Sequence, residues 1–452
     1  MSRPAPTGPA PGAARRAALK ALLRLEREPD ATAADTLDRE TRAARLDDRD
    51  TRFAHALAFA VVRHRSRLDA LVTPLLRAGG IGAMAPEVAC LLRMAAAQRA
   101  LMDRVPPHAI AADTTALARH ELRLDDRRAG FVNAVARRLA NLPDEAIAPA
   151  AAAPDATGPE RRQRLAEIHS HPLWLVELLE NAFGPDRLEP MLAADNTEAP
   201  LTLRANRLAD GGRDAVAARL AGETGAVFAP GAVAPDALIA PEGMPVQVLL
   251  ATPAFAEGLF YFQDEASQLV APLAAPRAGE RVLDLCAAPG GKATHLAEVS
   301  GGLAAVTATD SGAARLGRLR QNVARLRTPG IEVADYAAAT AEGRGYDVVV
   351  VDAPCSGLGT LRRHPEIRWR VTPADLDRLA VLQSEILRLG ARLTAPGGRL
   401  VYSTCTFTER ENAYVVEAFL EGHPEFHRAD AVSTWPDHPG LDGFHAALLQ
   451  RR

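Results

Sequence analysis

Residues 281–292 read RVLDLCAAPGGK. A short apolar run closes on an acid, passes into a loop with paired glycines, and a helical stretch follows. A strand feeding a glycine-bearing loop at a helix N-terminus lets the backbone come close to a ligand. Two phosphate-binding loops fail here. Counting back from Gly291-Lys292, the first glycine of GxxxxGK[ST] falls on Cys286 and the hydroxyl position falls on Ala293. A dinucleotide loop needs GxGxxG, where this chain has PGGKAT. A nucleotide-like ligand without a pyrophosphate remains, with S-adenosylmethionine the leading candidate. Asp310 stands about 20 residues beyond the loop, where an acid can hold ribose hydroxyls. It can equally cap the helix that follows it.

Further Val-rich runs surround this one: AVTATD at 305–310, DVVVVDA at 347–353 and RLVYST at 399–404. Helical stretches at 311–326 and 376–393 alternate with them. That alternation predicts a parallel, doubly wound sheet whose ligands bind beyond the C-terminal strand ends. Upstream, residues 13–140 carry apolar residues at three- and four-residue spacings, broken by Gly and Pro, and predict an all-α domain. Residues 1–12 are rich in Pro, Ala and Gly and predict disorder; the Ala/Pro-rich stretch 141–162 predicts a linker. Residues 163–255 predict a small α+β subdomain, with a helix at 173–183 and a strand at 246–251. The catalytic domain is expected over 256–452.

The chain has 452 residues, 48% of them hydrophobic, which suits folded domains and excludes wholesale disorder. No apolar run approaches the ~18 residues that span a bilayer, and the N-terminus lacks a signal-peptide core. Four Cys form neither a disulfide framework nor a metal spacing, so a cytoplasmic protein without metal or membrane partner is expected. The net charge of −3 divides unevenly: residues 1–150 hold 24 Lys+Arg against 18 Asp+Glu, and the rest 29 against 38. A basic front half suits an anionic partner such as nucleic acid, although scattered solvated charge gives the same count. Only Lys20 and Lys292 are lysines, which draws attention to the one in the glycine loop.

Cys355 in DAPCSG and Cys405 in STCT follow the strands at 347–351 and 399–403. Both strand ends face the ligand crevice, so the two thiols can converge. Cys90 reads as a core residue and Cys286 as structural. The segment 361–370, LRRHPEIRWR, sets Arg362, Arg363, Arg368 and Trp369 beside the Cys355 loop, as phosphate and base contacts to RNA would require.

DLCAAPGGKATH, DAPCSGLGTLRRHPEIRW and STC together resemble the RsmB/Sun branch of the RsmB/NOP family of RNA cytosine-C5 methyltransferases. GFVNAVARR at 130–138 resembles the NusB-like RNA-binding domain of that branch, and YFQDEASQLVAPLA at 261–274 its entry into the catalytic fold. The resemblance implies a NusB-like helical domain followed by a Rossmann-like class I methyltransferase domain. It implies S-adenosylmethionine as cofactor and small-subunit (16S) ribosomal RNA as partner of a chain expected to be monomeric. It also implies site roles. Cys405 would be the nucleophile at cytosine C6 and Cys355 would assist product release, although a Pro-Cys context serves as nucleophile in the DNA enzymes. Asp352 would contact the cytosine N3 edge. The cofactor would meet Cys286, Ala287, Ala288, Pro289, Gly290, Gly291, Lys292, Asp310, Asp335 and Asp352. Thr406 replaces the serine usual after the second thiol, and His445 stands where an aromatic is usual. Two other readings remain open: an RNA-binding assembly factor that keeps the fold, and an enzyme acting on another RNA. A nicotinamide oxidoreductase is disfavoured by the missing GxGxxG.

Overall fold

A computed structural model describes residues 12–28, 31–76, 79–148, 158–341, 343, 345–437 and 440–452. Residues 1–11 of the Pro-rich start and 149–157 of the expected linker lie outside them. The chain forms two compact units: one holds the residues up to Asn196 together with His364–Arg370, and the other holds Thr197–Arg363 and Val371–Arg452. The first boundary thus falls at 196, and helices from the segment read as an α+β subdomain belong to the helical unit.

In the first unit, helices Ala13–Arg27, Ala33–Ala43, Asp48–Arg63, Arg65–Val72, Pro107–Ala116 and Asp126–Ala140 accompany Pro86–Ala100. Every residue of that helix from Val88 to Gln98 is buried, as suits an element apolar on all sides. Leu19, Leu57, Leu92 and Leu139 pack into the same core. Asp47 and Asp125 cap their helices by accepting the amides of Asp50 and Arg128. Asp48–Arg63 and Arg65–Val72 do not run on as one helix, although apolar residues recur through both. The break falls at His64, where the Ser170 hydroxyl accepts the Ser66 amide at 2.7 Å and satisfies the new helix start. Gly158–Ile168, Leu173–Phe183 and Pro185–Ala194 complete the unit, the first starting inside the expected linker.

The second unit opens with a four-stranded antiparallel sheet: β1 (Thr202–Ala205), β2 (Ala229–Pro230), β3 (Ala237–Ile239) and β4 (Phe260–Phe262), in the order β2-β3-β1-β4. The run expected as a strand at 246–251 is instead a helix, Val246–Leu250, entered through Pro245. A short apolar run carries no decisive period, and here its amides bond along the helix. Arg204 of β1 is fully buried and joins this sheet to the helix Gly291–Val299, donating to Thr294 Oγ1 at 2.9 Å and Glu298 Oε1 at 2.8 Å.

The main sheet has seven strands: β5 (Arg281–Asp284), β6 (Ala305–Ala308), β7 (Ile331–Val333), β8 (Tyr346–Asp352), β9 (Thr394–Thr404), β10 (Phe426–Thr434) and β11 (Phe444–Arg451). Their order is β10-β11-β9-β8-β5-β6-β7. β5 to β9 pair in parallel, as expected; β10 and β11 add an antiparallel edge that the sequence pattern did not announce. Val348–Val351 are wholly buried, as in a sheet covered on both faces. The strand order reverses between β5 and β8, and this switch point sets the ligand crevice. Among the described residues no helix is long and apolar enough to cross a membrane.

Candidate active site

Three neighbouring strands deliver the site. β5 ends on Asp284, β8 on Asp352, and β9 on Thr404, with Cys405 next. Parallel register sets Asp352 level with Ser403, whose hydroxyl donates to Asp352 Oδ1 at 2.9 Å. Lys292, from the first turn of the helix after the glycine loop, donates to Asp352 Oδ2 at 2.7 Å. Its side chain is only 13% exposed, so it is not a surface lysine. Burial alone would lower its pKa, but the hydrogen bond and charge of Asp352 outweigh burial and raise it.

Asp284 went unassigned in the sequence reading, although an acid closing an apolar strand run was a usable signal. It is fully buried, and neither carboxylate oxygen makes a hydrogen bond of good geometry. Burial first, and the charge of Asp352 second, push its pKa up to about 7; the Lys292 charge and then the nearby Cys286 amide offset only part of this. Such an acid wants a cationic partner. In the loop itself, Ala287 is buried and donates its amide to the Thr309 carbonyl, and Cys286 is half-buried, its thiol pKa raised by burial. Ala288 and Pro289 precede Gly290, whose φ of 114° suits glycine, and a Cβ there would stand 2.9 Å from Leu319. A Cβ on Gly291 would stand 2.9 Å from the Tyr261 ring.

Asp310 sits beyond β6, and Gly312, not Asp310, stands at the N-cap of the helix Ala313–Leu326, which has no side-chain cap. Asp310 Oδ1 accepts from the Gly312 amide at 2.8 Å and from Arg315 at 2.6 and 2.9 Å, and Oδ2 keeps no partner among the described residues. Asp335, beyond β7, is exposed and caps the short helix Tyr336–Ala339 through the Ala337 amide at 3.0 Å.

The two thiols meet. Cys355 Sγ lies 3.3 Å from Cys405 Sγ. The Cys355 pKa is raised well above that of a free thiol by the hydrogen bond with Cys405 and then by burial. Cys90, fully buried in the helical core, has its thiol pushed up to about 12 by burial. His445 sits on β11 with the Ser433 hydroxyl 2.9 Å from Nδ1. No cluster of His, Cys, Asp and Glu able to hold a metal occurs among the described residues.

Of the four residues expected to touch RNA, Arg362 and Arg368 are buried, while Arg363 and Trp369 are half-buried and held by internal acceptors. Arg362 is buried against Asp442 at 2.8 Å. Arg363 bonds Asp264 and Asp442, each at 2.7 Å. Arg368 is fully buried in the helical unit, donating to Asn196 Oδ1 at 2.8 Å and to the carbonyls of Ser170 and Asp195. Trp369 donates its indole N–H to the Val62 carbonyl at 2.7 Å. Composition marked a cationic segment, but each charge serves an internal acceptor.

Three family matches cover the chain: the NusB family over residues 12–141, the ferredoxin-like domain of RsmF/B-like methyltransferases over 171–247, and 16S rRNA methyltransferase RsmB/F over 271–450. Similar proteins include ribosomal RNA small subunit methyltransferase B of Pseudomonas putida, 36% identical over 90% of this chain and 91% of that protein. The Vibrio cholerae protein of the same name is 34% identical over 89% of this chain and 90% of its own length. In fold, the chain is similar to the crystal structure of PH0851, at a TM-score of 0.80, 24% identity and full coverage of both chains. It is also similar to NSun6 from Pyrococcus horikoshii with SFG, at a TM-score of 0.56 and 19% identity, over 62% of this chain and 98% of that one. By its similarity to these relatives over nine-tenths of its length, the chain belongs to the ribosomal RNA small subunit methyltransferase B family, in the RsmB/NOP group of RNA methyltransferases.

Proposed function

We propose that this chain methylates C5 of a cytosine in 16S rRNA, using S-adenosylmethionine, through a covalent bond between Cys405 and cytosine C6. The observation that carries the proposal is the pair of sulfurs 3.3 Å apart at the ends of β8 and β9, beside Asp352.

The residues present fit the cofactor. Asp284 is an acid buried without a good hydrogen bond, which suits a cationic amino or sulfonium group. Asp310 Oδ2 can accept from a ribose hydroxyl, Asp335 lies beyond the third strand on the adenine side of this reading, and residues 286–292 offer a close backbone approach. S-adenosylmethionine supplies an electrophilic methyl group. The protein supplies the rest. Cytosine C5 is a weak nucleophile; addition of the Cys405 thiolate to C6 gives C5 enamine character. Asp352, held by Lys292 and Ser403, contacts the N3 edge of the ring. A base removes the C5 proton, and Cys405 then leaves C6 with its bonding electrons. Cys355, kept protonated by its neighbour and by burial, holds a proton within reach of the departing sulfur and assists release. The same reading has the chain act as a monomer in the cytoplasm.

Tritium transfer from labelled S-adenosylmethionine to 16S rRNA tests this. Cys405→Ala is expected to abolish transfer, and Cys355→Ala to leave a protein–RNA adduct that survives denaturant. Full methylation by Cys405→Ala overturns the nucleophile assignment. Transfer to another RNA but not to 16S rRNA overturns the substrate.

A further inference from the structure

Each thiol is followed by a hydroxyl residue, Ser356 after Cys355 and Thr406 after Cys405, and the two hydroxyls pair at 2.9 Å. Both loops converge on two adjacent residues. Glu411 is fully buried, and its carboxylate has four donors. Oε1 accepts from the Ser356 amide at 2.7 Å and Gln383 Nε2 at 3.1 Å; Oε2 accepts from the Ser356 hydroxyl at 2.6 Å and the Thr408 hydroxyl at 2.7 Å. Asn412 holds the other loop: its Oδ1 accepts from the Thr404 hydroxyl, and its Nδ2 donates to the Thr406 carbonyl at 3.0 Å. The Tyr402 hydroxyl, from within β9, pins the Glu411 carbonyl at 2.6 Å.

We infer that Glu411 and Asn412 are positioning residues that hold the two sulfur-bearing loops in register, Glu411 through Ser356 and Asn412 through Thr404 and Thr406. Among the described residues neither hydrogen-bonds a sulfur, and the Glu411 charge adds to the causes that raise the Cys355 pKa. Oε1 faces two N–H donors and Oε2 faces two hydroxyls, so removing the side chain leaves the Ser356 amide, the Gln383 amide and both hydroxyls without their buried partner, whereas a glutamine keeps an acceptor toward the N–H groups and turns its amide toward hydroxyls that can accept. The Ser356–Thr406 hydroxyl pair closes the link between the loops, and gives a physical reason for a hydroxyl at 406. The inference rests on the proposed function for its catalytic meaning, but its geometric content does not.

Two readouts keep these apart. The first is the rate at which oxidised dithiothreitol closes a Cys355–Cys405 disulfide by thiol exchange, with reduced dithiothreitol as the product and peptide mapping as the measure. The second is single-turnover methylation of 16S rRNA. Glu411→Ala is expected to slow both by about tenfold or more, as misplacement of reacting atoms does, with the S-adenosylmethionine dissociation constant unchanged, and Glu411→Gln, which keeps the connections and removes only the charge, to restore most of what Glu411→Ala loses. Thr406→Val, which keeps the shape and removes the hydroxyl, is expected to slow both, and Thr406→Ser to restore what Thr406→Val loses. This second pair decides the matter if Glu411→Ala does not fold. Wild-type closure rates in Glu411→Ala or Thr406→Val overturn the inference. A wild-type protein that closes the disulfide but methylates no RNA sinks the proposed function and leaves the positioning test standing.

Discussion

Asp284→Asn should strengthen the protein at alkaline pH and weaken it at acid pH. The wild-type carboxyl, fully buried, titrates at about 7 in the folded chain against an ordinary 3.8. A raised carboxyl pKa means that the folded state binds the proton more tightly than the unfolded state does. Stability therefore falls as pH rises from about 4 to about 7. Three units at 1.36 kcal/mol each give a full penalty of about 4 kcal/mol, of which about 2–3 kcal/mol develops above pH 5. The amide escapes that penalty but buries N–H groups without acceptors, at a cost of about 1–3 kcal/mol at every pH. The expected result is a sign change: the variant gains about 1–3 kcal/mol over wild type at pH 8 and loses its advantage at pH 5. The chain forms two compact units, so one global transition does not isolate the sheet. Urea-dependent hydrogen exchange of peptides spanning residues 281–284 and 346–352 does. The same variant should be protected less by S-adenosylmethionine. A difference between variant and wild type that is equal at pH 5 and pH 8 would refute the reasoning.

Gly359→Ala should cost about 2–4 kcal/mol and lower the urea midpoint, because its Cβ would stand 1.8 Å from the Gly443 carbonyl oxygen. Lys292→Met removes the ammonium 2.7 Å from Asp352 and should destabilise the main sheet by about 1–3 kcal/mol, read by the same exchange experiment. Trp369→Ala should destabilise the helical unit by about 3 kcal/mol in thermal melts while the folded protein keeps its affinity for RNA. Lost RNA affinity with unchanged melting would return this side chain to the RNA surface.

The parallel sheet was legible because continuous Val-rich runs at 281–285 and 347–351 have one physical use, burial on both faces. The loop, Lys292 and both thiols were legible for the same reason, since strand ends follow from strands. The antiparallel edge escaped notice: the exposed run Arg428–Ala431 of β10 carries no apolar alternation, and pairing with β11 fixes it. The break at His64 depends on Ser170, a partner 104 residues from Ser66 that no local pattern reveals. Glu411 was missed because an acid's burial is a tertiary fact; Asp284 closes an apolar run that marks its strand, but its lack of a hydrogen-bond partner is tertiary too. The internal acceptors of Arg362, Arg363 and Arg368 went unread for the mirror-image reason: a guanidinium reads as surface charge until its acceptors are known.

Seven residues late in the sequence, His364–Arg370, count among the helical unit. Arg370 there donates to the Leu25 carbonyl at 2.7 Å, and Glu366 accepts the Ala33 amide at 3.2 Å. A fragment ending at Asn196 therefore lacks a strip of its own interior. Its helices would leave carbonyls at 25, 62, 170 and 195 without their donors, and a truncation chosen by reading the chain from left to right would be scored as a poor folder for want of a heptapeptide. Supplying HPEIRWR as a separate peptide is the direct complement.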